Sequence, residues 1–188
     1  MNKHRRVILV VVMLALASLA CNLSVSGPAA PGSPIPVSTE AAGQVPELWK
    51  AAATSAANNQ LSVTITEAQL TSFVAIKLQD NPDAPIKDIQ VYLRDGKIQL
   101  FGTAQGGSVN TTALIVLAVS VTPEGTALFK VEQADFGPLP VPSSLLDGLS
   151  STLNEAFTGQ IGTVASGFRV TAITIADGQM SITGTVTR

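Results

Sequence analysis

The sequence predicts an α+β domain over residues 47–188, with an antiparallel sheet of about five to seven strands packed on one long C-terminal helix and one or two shorter N-terminal helices. Several segments alternate apolar and polar residues, which is the period of a half-buried strand. Two pairs, Asp95-Gly96 and Asp177-Gly178, separate such segments and suit two-residue hairpin turns. A run near the C-terminal end repeats apolar residues every three or four positions, as helices do.

The N-terminal part of the domain predicts a helix, a strand and a second helix. "PELWKAAATSAANNQ", residues 46–60, is alanine-rich and has Pro46 near a first turn, which favours a short helix. "LSVTIT" at 61–66 alternates as a strand does. Thr66 and Gln69 have the spacing of a capping box. The helix that follows should bury one face, made of Leu70, Phe73, Val74 and Leu78.

The two Asp-Gly turns predict the register of two hairpins. A type I′ turn needs positive φ at both central residues, which Asp-Gly tolerates. The first hairpin should pair Leu93 with Ile98, Val91 with Leu100 and Tyr92 with Gln99. The second should pair Ile175 with Met180 and Ile173 with Ile182. Because each hairpin follows a helical segment, the sequence predicts a helix-plus-hairpin pseudo-repeat offset by 82 residues (95 to 177).

Two longer strands and the long helix lie between the hairpins. "VNTTALIVLAVSVT" is apolar on both faces from Ala113 to Val119, so neither face should be left in water. "TALFKVEQADFG" forms the next strand, after Pro123-Glu124-Gly125. After "GPLPVP", Ser144 and Asp147 fit a capping box and open an amphipathic helix of about 20 residues.

The first 21 residues have the layout of an export signal. A cationic start with Arg5 and Arg6 precedes an apolar run, Val7–Ala20, that is short for a membrane span of about 20 residues. Residues 1–20 are therefore predicted to be a cleaved signal peptide, with an uncleaved apolar anchor as the alternative. Ala20 and Cys21 resemble the lipobox of bacterial lipoproteins, although Ser18 replaces the usual leucine. The resemblance implies that Cys21 is diacylated and anchors an exported domain to the bacterial cell membrane.

Residues 21–46 are predicted to be a lipidated tether. From Asn22 to Pro46 the segment contains five prolines, three glycines and one charge, Glu40. Such a composition buries too little apolar surface to offset the entropy lost on ordering. At about 3.1 Å per residue in a polyproline-like state, the tether would reach roughly 75 Å.

Removal of the signal leaves a chain without the side chains that most enzymes use. It would carry 8 Lys and Arg (11 minus 3) against 13 Asp and Glu, a formal charge of −5, with no histidine and no second cysteine. Disulfides, His/Cys metal sites and Ser-His-Asp or Cys-His catalysis are thereby excluded. The negative charge argues against nucleic-acid binding. No cofactor and no enzymatic activity are predicted.

The acidic segment "QDNPDAPIKD" is the strongest remaining candidate for chemistry. Asp80, Asp83 and Asp88 flank two prolines, but the segment lacks the carboxylate spacing, glycine and distal glutamate of an EF-hand loop. A solvated loop between helix and strand explains it without a metal.

Taken together, the order of elements resembles small bacterial envelope proteins related to the BPI-like, or tubular lipid-binding, superfamily. The residues that carry the likeness are "TEAQL", the Asp-Gly hairpin, the long apolar strands, "GPLPVP" and the amphipathic helix, over roughly residues 60 to 188. The resemblance implies a curved antiparallel sheet that wraps the long helix and leaves an apolar groove for acyl chains. The candidate groove residues are Phe73, Val91, Leu100, Val116, Val119, Leu146, Leu153 and Phe157.

Two functions of different classes follow. The first is a membrane-anchored lipoprotein that binds lipid or another apolar ligand without catalysis. Aliphatic walls suit acyl chains, at about 0.8 kcal/mol per buried methylene. The alternative is a structural or protein-interaction module of the cell envelope, in which the same residues simply fill the core.

Overall fold

In the structure, a computed structural model, most of the described chain is β. Strands hold 51% of the described residues and helices 28%. The described residues are 27–55, 59–79, 86–106, 109–141, 146–147, 150–151, 168–176 and 178–186.

The described elements form two helices and two antiparallel sheets. The helices are α1 (Thr39–Ser55) and α2 (Glu67–Gln79). The strands are β1 (Gln60–Thr66), β2 (Ile86–Arg94), β3 (Lys97–Gly106), β4 (Val109–Val121), β5 (Ala127–Asp135), β6 (Phe168–Ala176) and β7 (Gln179–Val186). One sheet has the order β1-β7-β6 and the other the order β2-β3-β4-β5. The four-stranded sheet is a simple meander, whereas the three-stranded sheet joins β1 to strands from the opposite end of the chain.

The predicted fold class, one curved sheet packed on one long C-terminal helix, is wrong. The strands form two sheets. In one, β7 pairs with β1 and β6, which places Val63 opposite Ile182; in the other, β2, β3, β4 and β5 pair in sequence order. No long C-terminal helix is present among the described residues. Most of the predicted helix, about residues 144–164, lies outside them; Leu146, Asp147, Ser150 and Ser151 are described and helical.

The hairpin predictions are confirmed at residue level. Leu93 pairs with Ile98, Val91 with Leu100 and Tyr92 with Gln99. In the second hairpin, Ile175 pairs with Met180 and Ile173 with Ile182. Asp95 and Gly96 have φ of 54° and 72°, as a type I′ turn requires. Local turn chemistry therefore sets the register of both hairpins.

The predicted capping box at the start of α2 is also confirmed. The backbone N–H of Thr66 donates to Gln69 Oε1 at 3.0 Å, and the N–H of Gln69 donates to Thr66 Oγ1 at 3.3 Å. These two bonds satisfy donors that a helix start leaves unpaired. The apolar face predicted for this helix packs against the core through Leu70, Phe73, Val74 and Leu78.

Helix α1 starts seven residues earlier than its predicted first residue, Pro46, and lies partly in the predicted tether. Ser38 caps it: the N–H of Ala41 donates to Ser38 Oγ at 3.0 Å. Pro46 is consequently interior, where a proline costs about 3 kcal/mol. Burial of Val45 and Trp49, at about 1.5–3 kcal/mol for each large apolar side chain, offsets that cost.

The core lies between the inner faces of the two sheets and the two helices. Leu93 and Ile182, one from each sheet, are 0% exposed. Val45 and Trp49 close the core from α1, and the Trp49 ring meets Phe168 edge-on with centroids 5.8 Å apart. Both sheets and both helices therefore share one hydrophobic core.

A carboxylate at the start of α2 ties the two hairpins together. Glu67 Oε1 accepts from the backbone N–H of Leu93 at 2.6 Å and also pairs with the guanidinium of Arg94. The N–H of Glu67 donates to the carbonyl of Gly178 at 3.0 Å, and the N–H of Gly178 donates to the carbonyl of Leu93 at 3.3 Å. We call Glu67, Leu93, Arg94 and Gly178 the Glu67 cluster. It fixes the β2–β3 and β6–β7 hairpins relative to α2.

Replacement of Glu67 should test the cluster. Glu67→Ala leaves the N–H of Leu93 without its acceptor, and we expect a loss of about 2 kcal/mol in the free energy of unfolding. Glu67→Gln keeps an acceptor and should lose less. Urea denaturation measures both. The control is Glu47→Ala, which removes an ion pair whose Glu47 side chain is 67% exposed and should change stability by less than about 0.5 kcal/mol. Equal losses for Glu67→Ala and Glu47→Ala would contradict the role of the cluster.

Two glycines should respond in opposite ways to the same substitution. A Cβ on buried Gly102 would collide with Ile86 Cγ2 and lie 2.8 Å from the carbonyl oxygen of Lys87, so Gly102→Ala should cost about 2 kcal/mol or more. A Cβ on Gly43, in α1, has nothing within 4 Å. Gly43→Ala should add about 0.5–1 kcal/mol, because alanine loses less entropy in a helix. The midpoints of thermal unfolding should move in opposite directions.

Candidate functional site

Four of the predicted groove residues face the interior. Val91 and Leu100 are 1% and 7% exposed and belong to the main core. Phe73 and Val119 are half-buried and pack against that core. The structure brings these four side chains to the inner, apolar side of the molecule.

Of the remaining groove candidates, Val116 does not join them. Val116 is adjacent to core residue Ile115 on β4 and therefore lies on the opposite face of the sheet. There it borders a shallow hollow with charged and amide side chains: Lys97, Lys130, Glu132 and Gln133. Leu146 is half-buried, and Leu153 and Phe157 lie outside the described residues. Since Val116 and Val91 are on opposite faces, no single groove contains all the candidates.

The outer face of the four-stranded sheet carries a second buried apolar patch, which sequence reasoning missed. Tyr92 and Phe101 are 3% and 5% exposed although neither belongs to the main core. Their rings meet edge-on, with centroids 5.6 Å apart. Alternation along β2 and β3 places both side chains on this face.

Residues 27–38, which we call the N-terminal strap, lie on the same face. The phenol of Tyr92 donates to the carbonyl of Ser33 at 3.3 Å. The side-chain amide of Gln90 holds Ile35 at both backbone groups: the N–H of Ile35 donates to Gln90 Oε1 at 2.5 Å, and Gln90 Nε2 donates to the carbonyl of Ile35 at 3.3 Å. The N–H of Ser38 donates to Ser72 Oγ at 3.1 Å. The strap therefore bridges β2 and α2.

The other end of the strap packs against β4. A Cβ on Gly27 would overlap the carbonyl oxygen of Thr112 and lie 2.9 Å from Thr111 Oγ1. Gly137, just after β5, borders the same threonine, since its Cβ would lie 2.8 Å from Thr111 Oγ1. Only a residue without a side chain allows the backbone to approach so closely. Gly27 is therefore placed beside the N-terminal end of β4.

The prolines explain why Ile35 is held by a side chain and not by a strand. Pro34 and Pro36 flank it and have no N–H, so a regular ladder of backbone bonds cannot form here. Proline also restricts the free chain, which reduces the entropy lost when the strap docks. The composition that predicted a free tether thus also suits an extended segment bound through isolated contacts.

The outer face of the three-stranded sheet is rich in hydroxyl groups. Thr64 and Ser181 hydrogen-bond across β1 and β7 at 3.0 Å, and Thr171 and Thr183 across β6 and β7 at 3.3 Å. The face also carries Ser62, Thr174 and Thr185. This surface offers hydrogen bonds and almost no charge to a partner.

The acidic residues in the described ranges do not gather into a metal site. Within the described ranges no three His, Cys, Asp or Glu side chains come close enough to hold a metal ion. Asp80 and Asp83 lie outside those ranges, and Asp88 accepts from Thr103 Oγ1 at 3.4 Å in a bulge of β2. A hydrogen bond with the Thr122 side chain lowers the pKa of Glu124, the opposite of what a general acid needs.

The predicted signal and Cys21 lie outside the described residues. In the part that is described, no helix is long and apolar enough to cross a membrane. The predicted membrane anchor therefore stays a prediction.

Comparison with known proteins gave no match to a family model, to a curated protein or to a solved structure. The resemblances to lipoproteins and to the BPI-like superfamily therefore stay predictions from the sequence.

The two hydrogen bonds between the Gln90 side chain and the backbone of Ile35 predict a slow amide exchange at Ile35. Gln90→Ala removes both bonds to Ile35, and at about 1 kcal/mol for each bond the amide of Ile35 should exchange about tenfold faster or more. Gln90→Glu retains an acceptor and should have a smaller effect. Hydrogen exchange followed by NMR measures the rates. The amide of Leu93, which is bound to Glu67, serves as the internal control and should not change; an unchanged rate at Ile35 would contradict the docked strap.

Proposed function

We propose that the protein is an exported lipoprotein, anchored through diacylated Cys21, whose domain acts without catalysis as an interaction module of the cell envelope. The observation that carries this choice is the burial of the inner-face groove candidates. Val91 and Leu100 are enclosed with Leu93 and Ile182 where the two sheets meet. Side chains buried to this extent favour a packed core over a groove for an acyl chain.

We infer that a domain with a core of this kind acts through its surface. The hydroxyl face of the three-stranded sheet presents donors and acceptors to a partner, as described above. In addition, β5 pairs within the described chain only with β4 and carries Leu128, which is 44% exposed. We propose the exposed side chain of Leu128 as a further contact for a partner protein.

The alternative is a lipid-binding domain. It is favoured by the fact that Val91 and Leu100 belong to one apolar core and that Phe73 and Val119 pack against it. A ligand there would have to separate side chains that pack together in this core.

Retained lipid distinguishes the two functions. The mature chain carrying Cys21→Ser, purified without detergent, should contain no stoichiometric acyl species in native mass spectrometry if the domain is an interaction module. Stoichiometric lipid would contradict the module and support the alternative.

The anchor has its own test. Incorporation of labelled palmitate into the full-length protein should fall to background in Cys21→Ser, and the protein should leave the membrane fraction, because two acyl chains are needed for stable attachment. Ser24→Ala, three residues away, should behave as the wild type. Membrane attachment and labelling that persist in Cys21→Ser would contradict a lipoprotein anchor and favour an uncleaved apolar segment.

A further inference from the structure

Because the strap is bound to the domain, the distance between Cys21 and the domain is limited. Only residues 22–26 separate Cys21 from Gly27, which is held beside Thr111 and Thr112. Six residue steps span at most about 20 Å even when fully extended. The free tether predicted from composition would instead allow roughly 75 Å.

The position of Gly27 determines which end of the molecule faces the anchor. Gly27 lies at the end of the four-stranded sheet where β4 begins and β5 gives way to Gly137; we call this the proximal end. The turns Asp95–Gly96 and Pro123–Gly125 lie at the other, distal end. About ten residues of β4 separate the two ends, which at about 3.3 Å per residue is roughly 33 Å.

Charge differs in number between the two ends. The residues that contact Gly27, namely Thr111, Thr112 and Gly137, are uncharged. The same end of the sheet also carries Lys87, whose partner Thr103 pairs with Thr112, and Asp88, which accepts from Thr103 Oγ1 at 3.4 Å. Asp135 accepts from the N–H of Gly137 at 2.8 Å.

The distal end, by contrast, holds charged side chains: Glu67, Arg94, Asp95, Lys97, Glu124 and Arg169. A charged group that loses water at an interface costs free energy, so the end with fewer charged side chains approaches a bilayer at lower cost.

We propose that the proximal end of the four-stranded sheet is a membrane-facing surface, which the strap holds against the phospholipid bilayer. The proposal rests on the lipid anchor at Cys21 proposed above. The orientation of the domain relative to the bilayer is set by the short length of the strap and by its contacts with the domain. Insertion of side chains into the bilayer is not required. The hydroxyl face and the β5 edge are then displayed beside the membrane and not far above it.

Resonance energy transfer from a donor dye on the protein to acceptor dyes in the membrane tests the orientation of the domain. The acylated full-length protein is reconstituted into vesicles of phosphatidylethanolamine and phosphatidylglycerol that carry an acceptor dye on some headgroups. Because Cys21 is the only native cysteine and is blocked by acylation, one introduced cysteine takes one donor dye. Pro138→Cys labels the proximal end and Glu124→Cys labels the distal end, and both positions are exposed.

We expect transfer from Pro138→Cys to be at least twice as efficient as from Glu124→Cys. Two changes should bring the two efficiencies together by lowering the proximal one: an insertion of 20 Gly and Ser residues before Gly27, and the double substitution Gln90→Ala with Ser72→Ala. Equal efficiencies in the otherwise unaltered chain, or a more efficient distal label, would overturn the proposed orientation.

The two proposals fail in different ways. Protein that is not acylated and does not bind the vesicles overturns the anchor and, with it, the orientation. Protein that is acylated and bound, but with equal transfer from both labels, overturns only the orientation. An insertion that leaves the proximal efficiency unchanged would show that the strap does not set it, and would also overturn the proposal.

Discussion

The Glu67 carboxylate is the interaction on which the arrangement of the two sheets depends. Burial of aliphatic side chains supplies most of the favourable free energy of folding. It is not directional, so it would be compatible with many relative positions of two apolar sheet faces. Glu67 removes that freedom because it binds Leu93 and Arg94 of one hairpin while its own N–H binds Gly178 of the other. Its side chain is only 16% exposed, so an unpaired state would leave a poorly solvated charge. A short set of polar bonds thus orients a large apolar core.

The N-terminal strap applies the same principle on the outside of the molecule. A few contacts at isolated points, through Gln90, Ser72 and the glycine at position 27, hold an extended segment that has no regular secondary structure. Its prolines restrict the conformations of the free chain, which lowers the entropy lost on docking. With the lipid anchor that we propose at Cys21, only residues 22–26 would separate the anchor from the strap, and the domain would be presented to the membrane in one orientation.

The function by contact that we propose rests on the burial of Val91, Leu100 and Ile182 in one core. The inner faces carry aliphatic side chains, and the outer faces carry hydroxyls, amides and a few ion pairs such as Lys97 with Glu132 at 2.6 Å. Edge strands and uncharged hydroxyl surfaces suit hydrogen-bonded partners. The two Asp-Gly hairpins meet at the Glu67 cluster, so their similarity has a structural consequence: the first brings the N–H of Leu93 to the Glu67 carboxylate and the second brings the carbonyl of Gly178 to the Glu67 N–H.

The sequence by itself determined the features that depend on neighbouring residues. The pairs Leu93 with Ile98 and Ile175 with Met180 follow from turn geometry, and the cap on α2 follows from the spacing of Thr66 and Gln69. Only the tertiary structure decided the rest. The pairing of β1 with β7, the division into two sheets and the clamp between Gln90 and Ile35, 55 residues apart, depend on which surfaces meet after the chain has collapsed. Alternation of apolar and polar residues shows that a strand has a buried face, but it does not show which partner covers that face. Proline content shows that a segment is extended, but it does not show whether the segment is bound to the domain.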